Sequence, residues 1–534
     1  MSEGAKAVSR RTMMRGTATV VGAAAASAAL PSTPAAAAAG GQPGHPPFPV
    51  DLETAEVAQL IALLDSGRIT SVELTKAYLD RISSLDLVLN AVQAVNPAAL
   101  DDAAAADAVR KSKRPHGPLL GIPVLVKDNI DVKGMPTTAG SVALAGSHPA
   151  TDAPLVTQLR QAGAVILGKG KLTEFANFLT SGMPGGYSSL GGQVINPYDA
   201  SQTPSGSSSG PAAAAAAGLA PITVGTETSG SILSPSSANS DVGVKPTVGL
   251  ISRTGIVPIA ASQDTAGPIT KTVSDAAIAL TALTGKDPAD PATAPNPLTG
   301  HDYTRDLRPT ALAGARIGVV QSQIPAAGTD NLTLWNAGIA ALEALGAVLV
   351  PVTLDTSSSI AGGSSVLTYE FKRDLNKYLS SLPATAPRKT LADIIAYNNA
   401  NAGTALKFGQ TQAVRSQAID LGPGSADTAK YVADRAQDLA DSKDRIDAAL
   451  AANTVTALLF ANSGSAGIGA KAGYPSVTIP AGYQASNRRP FNLTFLGQAW
   501  SEPTLLGYAF ALEQALKQRQ PPSAINPSLF QKVS

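Results

Sequence analysis

Three stretches hold residue types that could carry out acyl transfer: Lys127 in GIPVLVKDNID (121–131), the serines of PSGSSSG (204–210), and GTETSGSI (225–232). A lysine at the end of an apolar run acts as a base once it is uncharged. Serines set among glycines place hydroxyls where the backbone bends sharply and can turn several N–H groups toward one oxygen. A base, hydroxyl nucleophiles and converging amide donors make an acyl-transfer site without histidine or cysteine.

Each stretch also has a plainer reading. Ser231 follows the apolar strand APITV and the turn Gly225-Thr226-Glu227-Thr228-Ser229-Gly230. The amides of Thr228, Ser229, Gly230 and Ser231 could hold the oxygen of a tetrahedral intermediate, where loss of one donor costs about 3 kcal/mol. The alternative is an ordinary hydrophilic turn. The loop at Ser205–Gly210 runs into PAAAAAAGLA, a helix with Pro211 in its first turn. A phosphate cradle there lacks both the Lys-Ser/Thr pair and the G-x-G-x-x-G spacing. A flexible linker is the other option, and structured segments press on both sides of it. Lys127 alone reads as a solvated charge at a strand end. As a base it must be buried deeply enough to pull its pKa well below about 10.4.

The 534-residue chain is 44% hydrophobic and 15% charged, a globular composition. Forty basic and 39 acidic residues give a net charge of +1, which supplies no electrostatic case for nucleic acid or an anionic membrane. There is no cysteine, and His45, His116, His148 and His301 show no zinc-ligand spacing, so no metal and no cofactor are expected. Near the N-terminus, Arg10-Arg11 precedes a weakly apolar, alanine-rich run from Thr17 to Leu30, then small residues from Ala35 to Ala39. That order resembles a twin-arginine (Tat-type) export signal with its cleavage region over about residues 1–40. The expectation is a secreted mature protein that is soluble and not membrane-bound.

The elements that must position these residues alternate. Helices are expected near 54–66 and 71–85, the second capped by Thr70 or Ser71 with Glu73 behind. Short β-branched runs at 121–127, 164–169, 220–225, 315–320, 347–352, 457–462 and 473–482 read as strands. Together they predict an α/β protein with a large, mostly parallel or mixed sheet core flanked by helices on both faces. The Pro-rich run 286–300 reads as a surface excursion or linker. A single domain is expected over 41–534, with its core at about 70–285, 310–355 and 455–520 and a helical insertion at about 355–450.

The motifs together resemble the amidase signature family. Its Gly/Ser-rich pattern matches SGSSSGPAA (205–213), and its second pattern matches GTETSGSILSP (225–235), continued by GVKPTVGLISRTGIVPI (243–259). Further matches are GIPVLVKD, SQDTAGPITKTVSDAA, AGYPSVTIPAG and FLGQAWSEPTLL, so the resemblance spans about 50–520. It implies the amidase-signature fold and a Ser-cisSer-Lys triad, with Lys127 as base, Ser207 as the cis serine and Ser231 as nucleophile. Departures lie outside the triad. Ser205, Ser209 and Pro211 stand where the pattern has two glycines and a serine. Glu227 replaces an aspartate, Ser229 a glycine and Leu233 an arginine.

With TEFANF (173–178) and EFKRDLNKYL (370–379), the chain looks similar to the bacterial peptide amidases of this family, which implies Asn177 as a substrate contact. The implied function is hydrolysis of a small-molecule or peptide amide to acid and ammonia, by a protein that favours the monomer. The alternatives are a general aliphatic or aryl acylamidase, and a glutaminase subunit of a tRNA-dependent amidotransferase.

Overall fold

In the computed structural model, residues 48–531 are described; the export segment lies outside them. Among the described residues thirteen strands form, in chain order: β1 Val92–Val95, β2 Pro123–Lys127, β3 Val165–Gly170, β4 Tyr187–Ser188, β5 Gly192–Gln193, β6 Ile222–Glu227, β7 Val242–Lys245, β8 Thr265–Thr270, β9 Arg316–Val320, β10 Val348–Val352, β11 Ala457–Ala461, β12 Ser476–Tyr483 and β13 Pro490–Leu496. Eleven of them make one mixed sheet in the order β1-β3-β2-β6-β8-β7-β12-β13-β11-β9-β10, and β4 and β5 pair separately. Every residue of β2, β3, β6 and β8 is buried. Successive side chains point to opposite faces of a strand, so both faces of this central part are covered.

All seven strands expected from β-branched runs form, within a few residues. β1, β7, β8 and β13 carry weaker signals, because threonine, glycine, glutamine or proline interrupts their apolar residues. The helix Ser71–Leu89 starts at the expected place with a complete capping box between Thr70 and Glu73. The insertion folds as helices, including Val366–Ser381, Leu391–Ala400 and Ala426–Leu439. Residues 286–300 do not form a free linker. Asp290, Thr293 and Asn296 are buried, and Asp290 accepts from the Arg253 backbone and side chain at 2.8 Å. Proline density marked the irregular path; the buried polar anchors that pin it down became apparent only in three dimensions.

Three strands position the site. β2, β3 and β6 run parallel, so Lys127, Gly170 and Glu227 end them at one edge of the sheet. Carboxyl ends of parallel strands are the usual place for ligand-binding loops in such sheets. The helix Ser209–Ala216 packs here with all eight residues buried. Its alanines and glycine allow the approach: a Cβ on Gly210 would lie 2.3 Å from the Ala91 carbonyl oxygen and 2.4 Å from the Lys171 nitrogen. Gly210 N–H also donates to the Lys171 carbonyl at 2.9 Å.

A second apolar cluster ties the insertion to the site loops. Phe371, Leu375 and Leu379 meet Phe175, Phe178, Val257 and Ile259. Phe371 packs edge-on to Phe178 and Phe175, with ring centroids 5.0 and 6.2 Å apart.

Gly210→Ala is expected to cost about 1–3 kcal/mol of stability through overpacking. Gly146→Ala, where nothing lies within 4 Å of the added Cβ, should stay near wild type. Denaturant unfolding of the two variants side by side measures the difference.

Candidate active site

Lys127 is fully buried, and its side chain crosses from the end of β2 to the neighbouring loops. Its Nζ lies 2.8 Å from Ser207 Oγ, 2.9 Å from Thr226 Oγ1 and 3.2 Å from the Thr226 carbonyl oxygen. Asn129 Nδ2 donates to Thr226 Oγ1 at 3.0 Å, which fixes that hydroxyl from the other side. Burial pulls the Lys127 pKa down to about 7, against the opposing pull of Glu227 and Asp264. An ammonium has three protons for the three oxygens. A neutral amine has two, which suit the two Thr226 oxygens, and a lone pair free to accept the Ser207 hydroxyl proton.

Burial alone does not single this lysine out. Lys169, Lys245 and Lys271 are also fully buried. Lys169 pairs with Asp128 at 3.4 Å and donates to the Ile130 carbonyl at 2.5 Å. Lys245 donates to the Tyr474 and Pro246 carbonyls, and Lys271 to that of Leu52. Among the described residues, Lys127 alone of the four bonds a serine hydroxyl. The Lys169–Asp128 pair instead anchors the chain just beyond Lys127, helped by the Tyr378 hydroxyl, which donates to Asp131 at 2.8 Å from the insertion helix.

The run of three serines separates by partner. Ser207 Oγ meets Lys127. Ser208 Oγ donates to the Thr226 carbonyl at 3.0 Å and accepts from Thr226 N–H at 3.2 Å. Ser209 Oγ turns back to the Ser205 carbonyl at 2.7 Å. The Gly206–Ser207 peptide is cis. Ser208 N–H donates to the Ser231 carbonyl at 3.1 Å, which joins the two serine-bearing loops directly.

The turn after β6 is held by its own strand end. Glu227 Oε2 accepts from the amides of Ile232 and Leu233 at 2.7 and 2.9 Å. Gly230 takes φ +86, a left-handed conformation that glycine adopts without a side-chain clash. Among the described residues, the amides of Thr228, Ser229, Gly230 and Ser231 donate to no protein acceptor. Thr228, Gly230 and Ser231 are buried, while Ser229 is exposed. Four unspent donors on one tight turn can stabilise an oxyanion.

A cavity of about 630 Å³ opens beside this turn, within the range of small-ligand sites. Asn129, Thr226, Thr228 and Asp264 form its wall nearest the lysine, and the insertion helix contributes Arg373, Lys377 and Tyr378. Lys127, Ser207 and Ser231 are not in the wall themselves; Lys127 reaches it through its hydrogen bonds to Thr226. Asn177 is exposed, with φ +72, and does not line the cavity, although Ala176 does. Phe175 and Phe178 occupy the inner side of that segment, so Asn177 faces outward.

Sequence reasoning missed Thr226, Asn129 and Asp264 as supporting residues. The first two sit inside or beside the quoted motifs, and Asp264 lies in SQDTAGPITK; no spacing rule points to their hydroxyl, amide or carboxylate.

Lys127→Met tests the electrostatics. Between about 7 and the ordinary 10.5 the unfolded chain holds a proton that folded Lys127 lacks, so wild-type stability rises with pH across that window. The slope is about 1.4 kcal/mol per pH unit. Below about 7 both states are charged and the folded state bears the full burial penalty. The variant should therefore be relatively most stable near pH 6 and lose that advantage toward pH 10 in denaturant unfolding. A difference independent of pH would contradict a buried amine of lowered pKa.

Residues 73–466 match the Amidase family. Over 487 residues the chain is 40% identical to a probable amidase of Arabidopsis thaliana, spanning 89% of this chain and 92% of that one. A 307-residue stretch is 42% identical to a glutamyl-tRNA(Gln) amidotransferase subunit of Salinispora arenicola, covering 57% of this chain and 61% of the other. The solved structure of native peptide amidase from Stenotrophomonas maltophilia is 44% identical, with a TM-score of 0.82 over 88% of this chain and 98% of that one. The eleven-stranded sheet and its helices match that structure. The chain belongs to the amidase signature family and is a hydrolase acting on amide C–N bonds.

Proposed function

We propose that this protein removes ammonia from C-terminally amidated peptides through Ser231, Ser207 and Lys127. The observation that carries this reading is the fully buried Lys127 amine 2.8 Å from the Ser207 hydroxyl, in a loop bonded to the Ser231 segment. Ser231 Oγ attacks the amide carbon and gives its proton to Ser207, whose own proton passes to neutral Lys127. The oxygen of the tetrahedral intermediate draws on the free amides of 228–231. Collapse breaks the C–N bond, and the proton returns along the relay to leave as part of ammonia. Water then repeats the sequence on the acyl-enzyme and releases the acid.

Likeness to peptide amidase supports the peptide preference, and the cavity beside Thr226 and Thr228 has room for an acyl chain. Asn177 keeps a place in the proposal only as a contact for a peptide extending beyond the cavity. A glutaminase role has the Salinispora relative in its favour, over little more than half of this chain. Export is proposed from Arg10-Arg11 and the run behind it. Replacing both arginines by lysine should keep the protein inside the cell, and unchanged secretion would remove that part of the proposal.

Ammonia release from amidated peptides, free glutamine and simple aliphatic and aryl amides tests the specificity. Peptide amides should turn over fastest with internal peptide bonds intact; a preference for glutamine or aryl amides would replace this reading with one of the alternatives. Ser231→Ala should abolish turnover, and Ser207→Ala should lower it about a thousandfold or more. kcat/KM should rise with pH through an apparent pKa of about 7 that belongs to the coupled Lys–Ser–Ser unit. A flat profile from about pH 6 to 10 would exclude a lysine base.

A further inference from the structure

The register of β6 against β8 sets Glu227 opposite Thr265, so the residues just beyond, Thr228 and Asp264, also face each other. Thr228 Oγ1 donates to Asp264 Oδ1 at 2.5 Å. Asp264 Oδ2 accepts from the amides of Ile259 and Ala260, both at 2.9 Å. The next two amides are taken by the insertion helix: Ala261 N–H donates to Asp374 at 3.0 Å and Ser262 N–H to Glu370 at 2.9 Å. Four successive backbone donors thus end on three carboxylates. Ile259, Ala261 and Asp264 belong to the cavity wall.

We infer that Asp264 is a positioning residue that fastens the amide-donor turn before Ser231 to the wall of the acyl cavity, acting through the Thr228 hydroxyl. The inference rests on the proposed amidase reaction and adds to it a residue outside the triad. A free Thr228 would let the 228–231 amides swing relative to the bound acyl group, and misplaced donors lose most of their value to a developing oxyanion. Asp264 also faces Lys127 across the site. Glu227 is the other acid acting on that lysine, and Arg253, itself paired with Asp290, is the cation facing Asp264.

The test compares wild type with Asp264→Asn, Thr228→Val and Thr228→Ser on an amidated peptide. Asparagine keeps an oxygen for the two amides and removes the charge. Asp264→Asn and Thr228→Val should each lower kcat about 10- to 100-fold with KM little changed. Thr228→Ser should restore the rate, and the double variant should be no slower than either single one. Burial raises the Asp264 carboxyl to about 7, so it titrates over the same range as Lys127; the acid limb should move to lower pH in Asp264→Asn only, by less than a fully ionised neighbour would give.

A merely structural aspartate would slow the enzyme without moving that limb. Wild-type rates in Thr228→Val, or an unmoved limb in Asp264→Asn, would overturn the inference. If wild type itself releases no ammonia, the parent reading fails instead. The rate of adduct formation with a serine-directed phosphonate, followed by intact mass, then decides the positioning role: slower labelling in Thr228→Val supports it, and equal labelling refutes it.

Discussion

An amine sealed from water without a carboxylate partner is the constraint on which the site depends. Isolating an ammonium is costly, and a protein usually relieves that cost with an ion pair, as this chain does at Lys169 and Asp128. Lys127 has only hydroxyl and carbonyl oxygens around it. The cheaper form in such surroundings is the neutral one. Its lone pair can accept the Ser207 hydroxyl proton while its own two protons go to the two Thr226 oxygens. The same surroundings that destabilise the charge therefore aim the base.

That arrangement needs a rigid frame, and the frame is the parallel trio β2, β3 and β6. Two of these strands end on residues that organise the site, Lys127 and Glu227, and the third ends at Gly170, beside the Lys171 carbonyl that receives Gly210. A helix of alanines packs into the gap closely enough that no larger residue fits at Gly210. Ser207 is thus held from both sides: by Lys127 at its hydroxyl and by Thr173 N–H at its carbonyl, 3.1 Å away. The insertion closes the opposite side, where its carboxylates hold the loop that walls the cavity. Core and insertion meet there through hydrogen bonds to main-chain amides, contacts that leave few traces in residue type.

Much of this was legible beforehand. β-branched runs found β2, β3, β6, β9, β11 and β12, where strands covered on both faces are apolar over most of their length, and also the partly exposed edge strand β10. Glycine and serine marked the loops because sharp turns with free amides require them. The weaker strands were missed since Thr265–Thr270 and Val242–Lys245 lack an unbroken apolar run. The proline-rich segment is the surface excursion expected of it, and proline, which reports only an irregular backbone path, gave no sign of its buried anchors Asp290, Thr293 and Asn296. Asn177 was placed by likeness to a motif, and its outward position follows from two phenylalanines flanking it that claim the interior.

The amino-acid order by itself determined the chemical inventory: a lysine on an apolar strand, hydroxyls between glycines, a turn rich in donors and the family to which they belong. It also determined the layering, since apolar periodicity and caps are local properties. Only the tertiary structure decided which of the fully buried lysines meets a serine hydroxyl, where Ser208 and Ser209 turn instead, and which carboxylate steadies the turn before Ser231. Those choices depend on strand register and loop path, where a shift of one residue turns a side chain to the opposite side, and no local pattern records it.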